Sequence, residues 1–411
     1  MHKLARRTIS TAGHAVHVLT LPVRFNSDLL RCPKPTMRLN AANTFFVSGG
    51  GVVGSEYDGD VHFHQKVLSI ASQGMPPPHE RSLVYVPFYY SRRHGCLASL
   101  DALQALLAEF ASLLARWARE LPQATFFMHA SSACSCKFSC NPLAGTPLAA
   151  RLRVLTWEQD PEENIAVPHV HEGPAYPPAL LFTPEAAREE AAAHLRRPVL
   201  VLSTAGNRSA ACTHCSVCAR VLPGSCTSGC HNIRPQLAAV MERHIAERQP
   251  RVLQLSPRAG DYASTHHAST LIRNATFCLQ PAGDMLTRSA LYLSLMLGCI
   301  PVVFRDDDAF WRQYALAHTV PYREMSVHVP LERVRAGLDF VTTLAALPAG
   351  VVRAKQALIA RWSATLDYER GGMAAILSEV ARRTELPLGE TRLPPMARCY
   401  AANSTKQTCI L

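Results

Sequence analysis

The chain has 411 residues, 48% of them hydrophobic, enough to bury a substantial core over two or three domains, which excludes disorder as the default state. The 42 Lys and Arg residues against 31 Asp and Glu give a net charge of +11. That charge suits an anionic partner such as a nucleotide or an acidic glycan, while the lack of a Lys/Arg block or an aromatic-basic repeat argues against nucleic acid.

The first strand expected is residues 15–20, broken at Pro22. A second, "SLVYVPFYY" (82–90), leads to a long helical pattern in which Leu100, Leu103, Leu106, Leu107, Phe110 and Leu114 recur at helix spacing, with Pro122 as the stop. Strands at 124–130 and 150–157 continue the alternation, and "ENIAVPHVHEG" supplies a short one ending at Pro168. After Pro177 and Pro178 the Ala-rich "TPEAAREEAAAHLRR" reads as a connecting helix, and "PVLVLSTAG" (198–206) opens a second α/β unit. There "RPQLAAVMERHIAER" is helical, "RVLQLS" is a strand, and "STLIRNATFCLQP" is a helix end entering a strand. Then come a helix at 287–297, a turn at Gly298, a strand at 300–304 and a short strand in "SVHVP".

The pattern predicts two Rossmann-like, doubly wound domains facing each other. The expected boundaries are a tail at 1–14, a first domain at 15–178, a second at 179–370 carrying a Cys-rich insertion at 212–230, and a C-terminal helix and tail at 371–411. No run of about 20 apolar residues is present, so no membrane anchor is expected. The first 23 residues, interrupted by His14, His17 and Thr20, lack the apolar region of a secretion signal.

Fourteen cysteines include the clusters Cys134, Cys136, Cys140 and Cys212, Cys215, Cys218, Cys226, Cys230. Such clustering means disulfides in an oxidising compartment or a zinc site completed by His214 and His231. The spacing misses the paired CxxC interval of a zinc ribbon, which favours disulfides. Of the sequons at Asn207, Asn274 and Asn403, only the last is expected to be glycosylated. The tail "TCIL" puts Cys409 one position too late for prenylation. "RDDD" (305–308) reads as a solvated loop at the cleft rather than a metal site.

The segment "CLQPAGDMLTRSALYLSLMLGCIPVVF" (278–304) places a turn with Gly283 and Asp284 between a strand and a helix beginning near Thr287 and Arg288. Helix starts offer N–H groups without intrahelical partners and partial positive charge, so they bind phosphate. Gly283 allows close backbone approach, Thr287 adds a hydroxyl and Arg288 a planar fork. The plainer reading is an N-cap formed by Asp284 or Thr287.

This segment resembles the hallmark of the exostosin-type glycosyltransferases, glycosyltransferase family 47, which runs FCLxPxGDSxTR, a short helix, then GCIPV. Matching positions include Phe277, Cys278, Leu279, Pro281, Gly283, Asp284, Thr287, Arg288, Gly298, Cys299 and Pro301. "LPVRFNSDLL", "VYVPFYY", "NIAVPHVHEG", "LSTAGNRSA", "NIRPQL" and "MSVHVP" resemble further family segments, in the family's order. The resemblance implies a GT-B fold and inverting transfer from a UDP-sugar to a glycan acceptor, with no essential metal or cofactor. Donor binding would fall to Arg208, Pro281, Gly283, Asp284, Thr287, Arg288 and Gly298, with Arg208 and Arg288 neutralising the diphosphate. His169 and His171 are the candidates for the base. Family members are usually tethered in the Golgi and can pair with a related transferase, and the "PVVF" ending leans toward the plant and algal galactosyltransferase-like branch. Two positions depart from the pattern: Leu293 stands where an acidic residue is common, and Ser289 where a basic one is. They favour a rival reading, an inactive homologue that binds glycan or scaffolds a partner. A second rival is a zinc-dependent interaction protein built on the 212–230 cluster.

Overall fold

The structure, a computed structural model, describes residues 16–26, 28–29, 47–48, 51–52, 59–70, 82–90, 100–130, 142–143, 146–156, 164–168, 180–193, 197–204, 233–247, 251–254, 265–281, 288–385, 398–400 and 408–410. The chain opens with β1 (Val16–Val18), a small antiparallel pair β2 (Val47–Ser48) and β3 (Gly51–Val52), and helix α1 (Gly59–Ile70). It continues through β4 (Leu83–Tyr85), α2 (Leu100–Glu120), β5 (Thr125–Ala130), β6 (Leu152–Thr156) and β7 (Asn164–Ala166). These strands form one parallel sheet in the order β1-β4-β5-β6-β7.

The apolar stripe of α2 explains its position. Phe110 and Leu114 are fully buried with Phe25, Phe88 and Phe126 on one face of the sheet, and the Phe88 and Phe110 rings lie 4.7 Å apart. The strand expected at 82–90 ends at Tyr85. Pro87 has no N–H to offer a ladder, and Val86 O accepts from Phe88 N at 2.8 Å, turning the chain locally.

The second sheet is built after α3 (Pro184–Ala192), a helix begun by Thr183, whose hydroxyl accepts from Ala186 N. Its strands are β8 (Val199–Ser203), β9 (Val252–Gln254), β10 (Ala275–Gln280) and β11 (Ile300–Val303), separated by α4 (Arg234–Ala246), α5 (Thr265–Arg273) and α6 (Ser289–Met296). After α7 (Asp308–Trp311) and α8 (Tyr322–Met325), β12 (Val327–His328) completes it. All pairings are parallel, in the order β12-β11-β10-β8-β9. Every residue of β10 and β11 is buried, as expected of strands covered on both faces, which read as continuous apolar runs.

Helices α9 (Leu331–Arg335), α10 (Phe340–Ala345) and α11 (Ala349–Trp362) lie beyond the reach of the sequence reading. Residues 363–372 then carry the chain back to the first sheet. There α12 (Met373–Glu385) buries Met373, Ile376, Leu377 and Val380 against Phe63, Tyr85, Phe127 and Leu155, and Tyr368 Oη donates to Pro168 O at 2.7 Å. A two-stranded antiparallel ribbon, β13 (Arg398–Tyr400) and β14 (Thr408–Ile410), follows. Two helix-covered parallel sheets joined by a returning C-terminal helix are the two-unit α/β architecture of the GT-B type that the sequence predicts.

Candidate functional site

Strand order locates the site. In the second sheet the order reverses between β8 and β10, and a doubly wound sheet binds ligands in the crevice outside the carboxyl ends of the strands at such a switch point. Here those ends are Ser203 and Gln280, each 5% exposed. Pro281 follows Gln280, and Arg288 folds back to donate Nη1 to Pro281 O at 2.5 Å. Arg288 is itself the N-cap of α6, in extended conformation (φ −131°, ψ 123°), and its side chain makes no capping bond. A guanidinium has no acceptor to offer N–H groups. The helix therefore starts two residues later than Thr287, with Arg288 at the N-cap position. Gln280 fixes its start: Nε2 donates to Ser294 Oγ at 2.9 Å and to Ala290 O at 3.3 Å.

Gly298 stands at the other end. The six residues of β10 span roughly 17 Å at about 3.3 Å per step, and α6, 8 residues and about 12 Å long, runs back beside it before the chain turns at Gly298 (φ +78°). Cys299 N bonds to Ser294 O at 2.8 Å and Gly298 N to Leu295 O at 3.2 Å, the Schellman closure that a glycine at this position permits. Gly298 O accepts from Arg197 Nη1 at 2.8 Å, alongside Ala275 O at 2.9 Å. Burial draws Arg197 down to about 10, still protonated at neutral pH, with Glu190 opposing the fall. The structure therefore does not bring Gly298 to the cradle; it closes the sheet's amino end. Close by, Cys278 and Cys299 are joined as a disulfide, a pairing between two residues that the sequence reading used only as motif positions.

The acidic run after β11 is committed to local structure. Asp306 accepts from Trp311 Nε1 at 2.6 Å and Arg323 Nε at 2.8 Å, and although burial opposes ionisation these bonds hold its carboxyl below the usual range. Asp307 caps α7 through Phe310 N at 2.9 Å. Among the described residues no group of three or more His, Cys, Asp or Glu side chains is placed to hold a metal.

The carboxyl side of the first sheet carries a polar cluster that the sequence reading missed. His129, near the end of β5, shares a hydrogen bond of 2.9 Å between Nδ1 and Asp60 Oδ1, both side chains buried. One turn along α1, His64 Nδ1 and Tyr89 Oη share a bond of 2.8 Å. Burial lowers the His64 pKa, keeping the ring neutral at pH 7, and burial followed by the Asp60 charge raises the Tyr89 phenol to about 12. The available signal was a histidine inside the apolar strand "TFFMHA" and two more in "GDVHFHQKVL".

Of the donor-binding residues expected from the sequence, Pro281 and Arg288 meet at the switch point. Arg208, Gly283, Asp284 and Thr287 lie outside the described residues, as do His169, His171 and the whole 212–230 cluster. No helix among the described residues is long and apolar enough to cross a membrane.

A family model described as the Exostosin GT47 domain matches residues 10–345. Curated relatives match over shorter stretches. The xyloglucan-specific galacturonosyltransferase 1 of Arabidopsis thaliana is 43% identical over 65 residues, 16% of this chain and 10% of that one. Two proteins of the same plant named probable xyloglucan galactosyltransferases, GT15 and GT20, are 39% identical over 67 residues and 33% over 105. These cover 16% and 26% of this chain and 14% and 18% of theirs, so the matched stretch spans less than a fifth of each relative. Among solved structures, a glycosyltransferase from Rickettsia africae ESF-5 aligns over 91% of this chain and 100% of its own, at 9% identity and a TM-score of 0.37, too distant to add to the topology. With the family model running through both sheets and the switch-point residues in place, the chain belongs to the exostosin GT47 family.

Proposed function

We propose that the chain is an inverting glycosyltransferase that moves a sugar from a UDP-sugar donor to a glycan acceptor. The observation that carries this reading is the meeting of Arg288 and Pro281 at the switch point of the second sheet in a member of the exostosin family. The acceptor hydroxyl loses its proton to a base on the first sheet's side, its oxygen attacks the anomeric carbon, and UDP departs from the opposite face. Arg288, with Arg208, meets the negative charge that grows on the departing diphosphate, the kind of electrostatic stabilisation that contributes most to catalysis. For the base, His169 and His171 follow Pro168 in the chain, and His64, half-buried on the first sheet's side with its Nδ1 bonded to Tyr89 Oη, is a further candidate.

No metal is required in this scheme, because guanidinium groups supply the positive charge. The relatives are named as a xyloglucan-specific galacturonosyltransferase and probable xyloglucan galactosyltransferases, which makes UDP-galactose and UDP-galacturonate the first donors to test and polysaccharide synthesis the setting. A Golgi lumen accords with the Cys278–Cys299 bond, since disulfides persist in oxidising compartments. The second reading, an inactive homologue that binds glycan or scaffolds a related transferase, starts from the departures at Leu293 and Ser289. Calorimetric titration with UDP, without added metal, on the chain and on Arg288→Ala decides between them. Binding that the variant loses supports the transferase, and no binding by folded protein moves the scaffold reading to first place.

A further inference from the structure

A cavity of about 260 Å3 lies at the seam between the two sheets. One wall is the carboxyl end of β7, Ile165 and Ala166, and another is the segment that follows α7, from Arg312 to His318. The third is α12, through Glu379, Arg382 and Arg383. Tyr314 ties the cavity to the switch point of the second sheet: its ring lies 5.7 Å from that of Tyr292 on α6, the helix whose N-cap is Arg288.

Among the described residues that line the cavity, the guanidiniums outnumber the carboxylates. Glu379, the one described carboxylate of the lining, accepts from Arg382 Nε and Nη2 at 2.8 Å each and from Arg383 Nε at 2.9 Å, with His318 Nε2 at 3.1 Å. Burial lowers the His318 pKa more than Glu379 raises it, so the ring is neutral at pH 7. Glu379 is shared by Arg382 and Arg383, and Arg312 stands on another wall without a share in it. Arg312 makes no ion pair among the described residues and donates Nε only to Asp308 O. Leu316, on the same wall, holds φ +54°, a conformation unfavourable for a branched side chain. Backbone strain of this kind persists where the surroundings over-determine it and collects at binding sites. The volume lies just below the ~300–1,000 Å3 of typical small-ligand pockets, room for about one sugar ring.

We propose that this seam is an acceptor subsite for an acidic sugar, in which Arg312 and Arg382 receive the carboxylate of a uronate residue of the acceptor glycan. The proposal deepens the glycosyltransferase reading and rests on it for the word acceptor; the anion site itself stands on the cavity.

The test is titration of the full chain with galacturonate oligosaccharides and with neutral galactose oligosaccharides of equal length, at two ionic strengths. The expected result is acidic binding about 10- to 100-fold tighter than neutral, as a charge-assisted contact gives, weakened by salt. Arg312→Gln should remove that preference. Ala317→Glu, which sets a negative charge in the same wall, should abolish acidic binding and leave neutral binding in place, so the conclusion does not hang on one variant. Equal affinity for the two oligosaccharides overturns the proposal, as does an acidic preference that survives both variants. A preference shown by UDP-galacturonate over UDP-galactose, with none among the oligosaccharides, also overturns it by assigning the cavity to the donor. UDP titration of the unaltered chain reports separately on the transferase reading: loss of UDP binding with retained acidic preference removes the enzyme and keeps the anion site.

Discussion

Gly298→Ala separates what the family motif does for the fold from what it does for the ligand. Gly298 and Gly337 are matched: each closes a helix by a Schellman turn, with Leu338 N bonded to Arg333 O at 2.9 Å in the second case, at φ +78° and +88°. A Cβ on Gly337 would meet nothing within 4 Å, whereas one on Gly298 would sit 2.3 Å from Phe182 Cγ and 2.8 Å from Arg197 Nη2. The Phe182 ring cannot retreat easily. Arg197 and Arg273 cover it at 4.9 and 5.0 Å, and its backbone is tied to Met296 O and Ser363 Oγ. Both variants lose about 1–2 kcal/mol to the left-handed backbone, and Gly298→Ala loses a further ~1–3 kcal/mol to overpacking. At about 2–4 °C per kcal/mol for a unit of this size, Gly298→Ala should melt roughly 2–12 °C below Gly337→Ala by calorimetry. Equal melting temperatures would refute the packing argument. A Gly298→Ala protein as stable as Gly337→Ala but unable to bind UDP would return this glycine to the donor site.

Asp60→Ala strips the buried His129 of a carboxylate partner and should cost about 1–3 kcal/mol; an unchanged melting temperature would show that the pair contributes nothing. Glu379 has a lowered pKa, burial opposing its charge but the bonds from Arg382 and Arg383 prevailing. Its contribution is therefore present above the unfolded carboxylate value of about 4.3 and lost as pH falls through the folded one. Glu379→Gln should be about 1–3 kcal/mol less stable than the parent at pH 7, with the gap closing below about pH 4; a gap independent of pH in denaturation curves would contradict this. Leu293→Glu restores the acid common in the family and should tighten UDP binding about 10- to 100-fold if the ribose lies at this helix; unchanged calorimetric affinity in a folded variant would place Leu293 outside the donor site.

The stretch from β10 to β11 is legible in sequence because both strands are buried on both faces and the helix between them ends in a glycine. The first sheet is also legible, except where Pro87 ends the β4 ladder two residues after Tyr85. Helix α1 escapes notice because polar residues interrupt its apolar ones: in "GDVHFHQKVLSI" the buried Phe63 and Val67 stand among His62, His64, Gln65 and Lys66, beside a buried Asp60. Pairings across long separations leave no local trace, and Asp60 finds His129 69 positions away. Gly298 is assigned to the cradle by adjacency within a motif. Adjacency in sequence does not reveal that a helix of 8 residues carries the chain back about 12 Å toward the amino end of the sheet before the glycine is reached.

The two departures from the family pattern lie on one stripe of α6. Ser289, Leu293 and Leu297 are successive i, i+4 positions, and such residues share a helix face. Leu293 packs there, partly buried, with Leu271 and Leu253 around Ile272, Leu297 and the Cys278–Cys299 pair. A basic residue at 289 and an acidic one at 293 would stand at ion-pair spacing, so their joint loss strands no lone charge and adds apolar contact in its place. Arg288, on the turn before, keeps its bond to Pro281 O and its place at the switch point. The change thus touches the region where a ribose would be read and spares the charge that a diphosphate would meet. A donor held by its phosphates and less tightly by its ribose is weaker bound, yet still positioned for departure, and this favours a divergent transferase over a scaffold that has lost its donor.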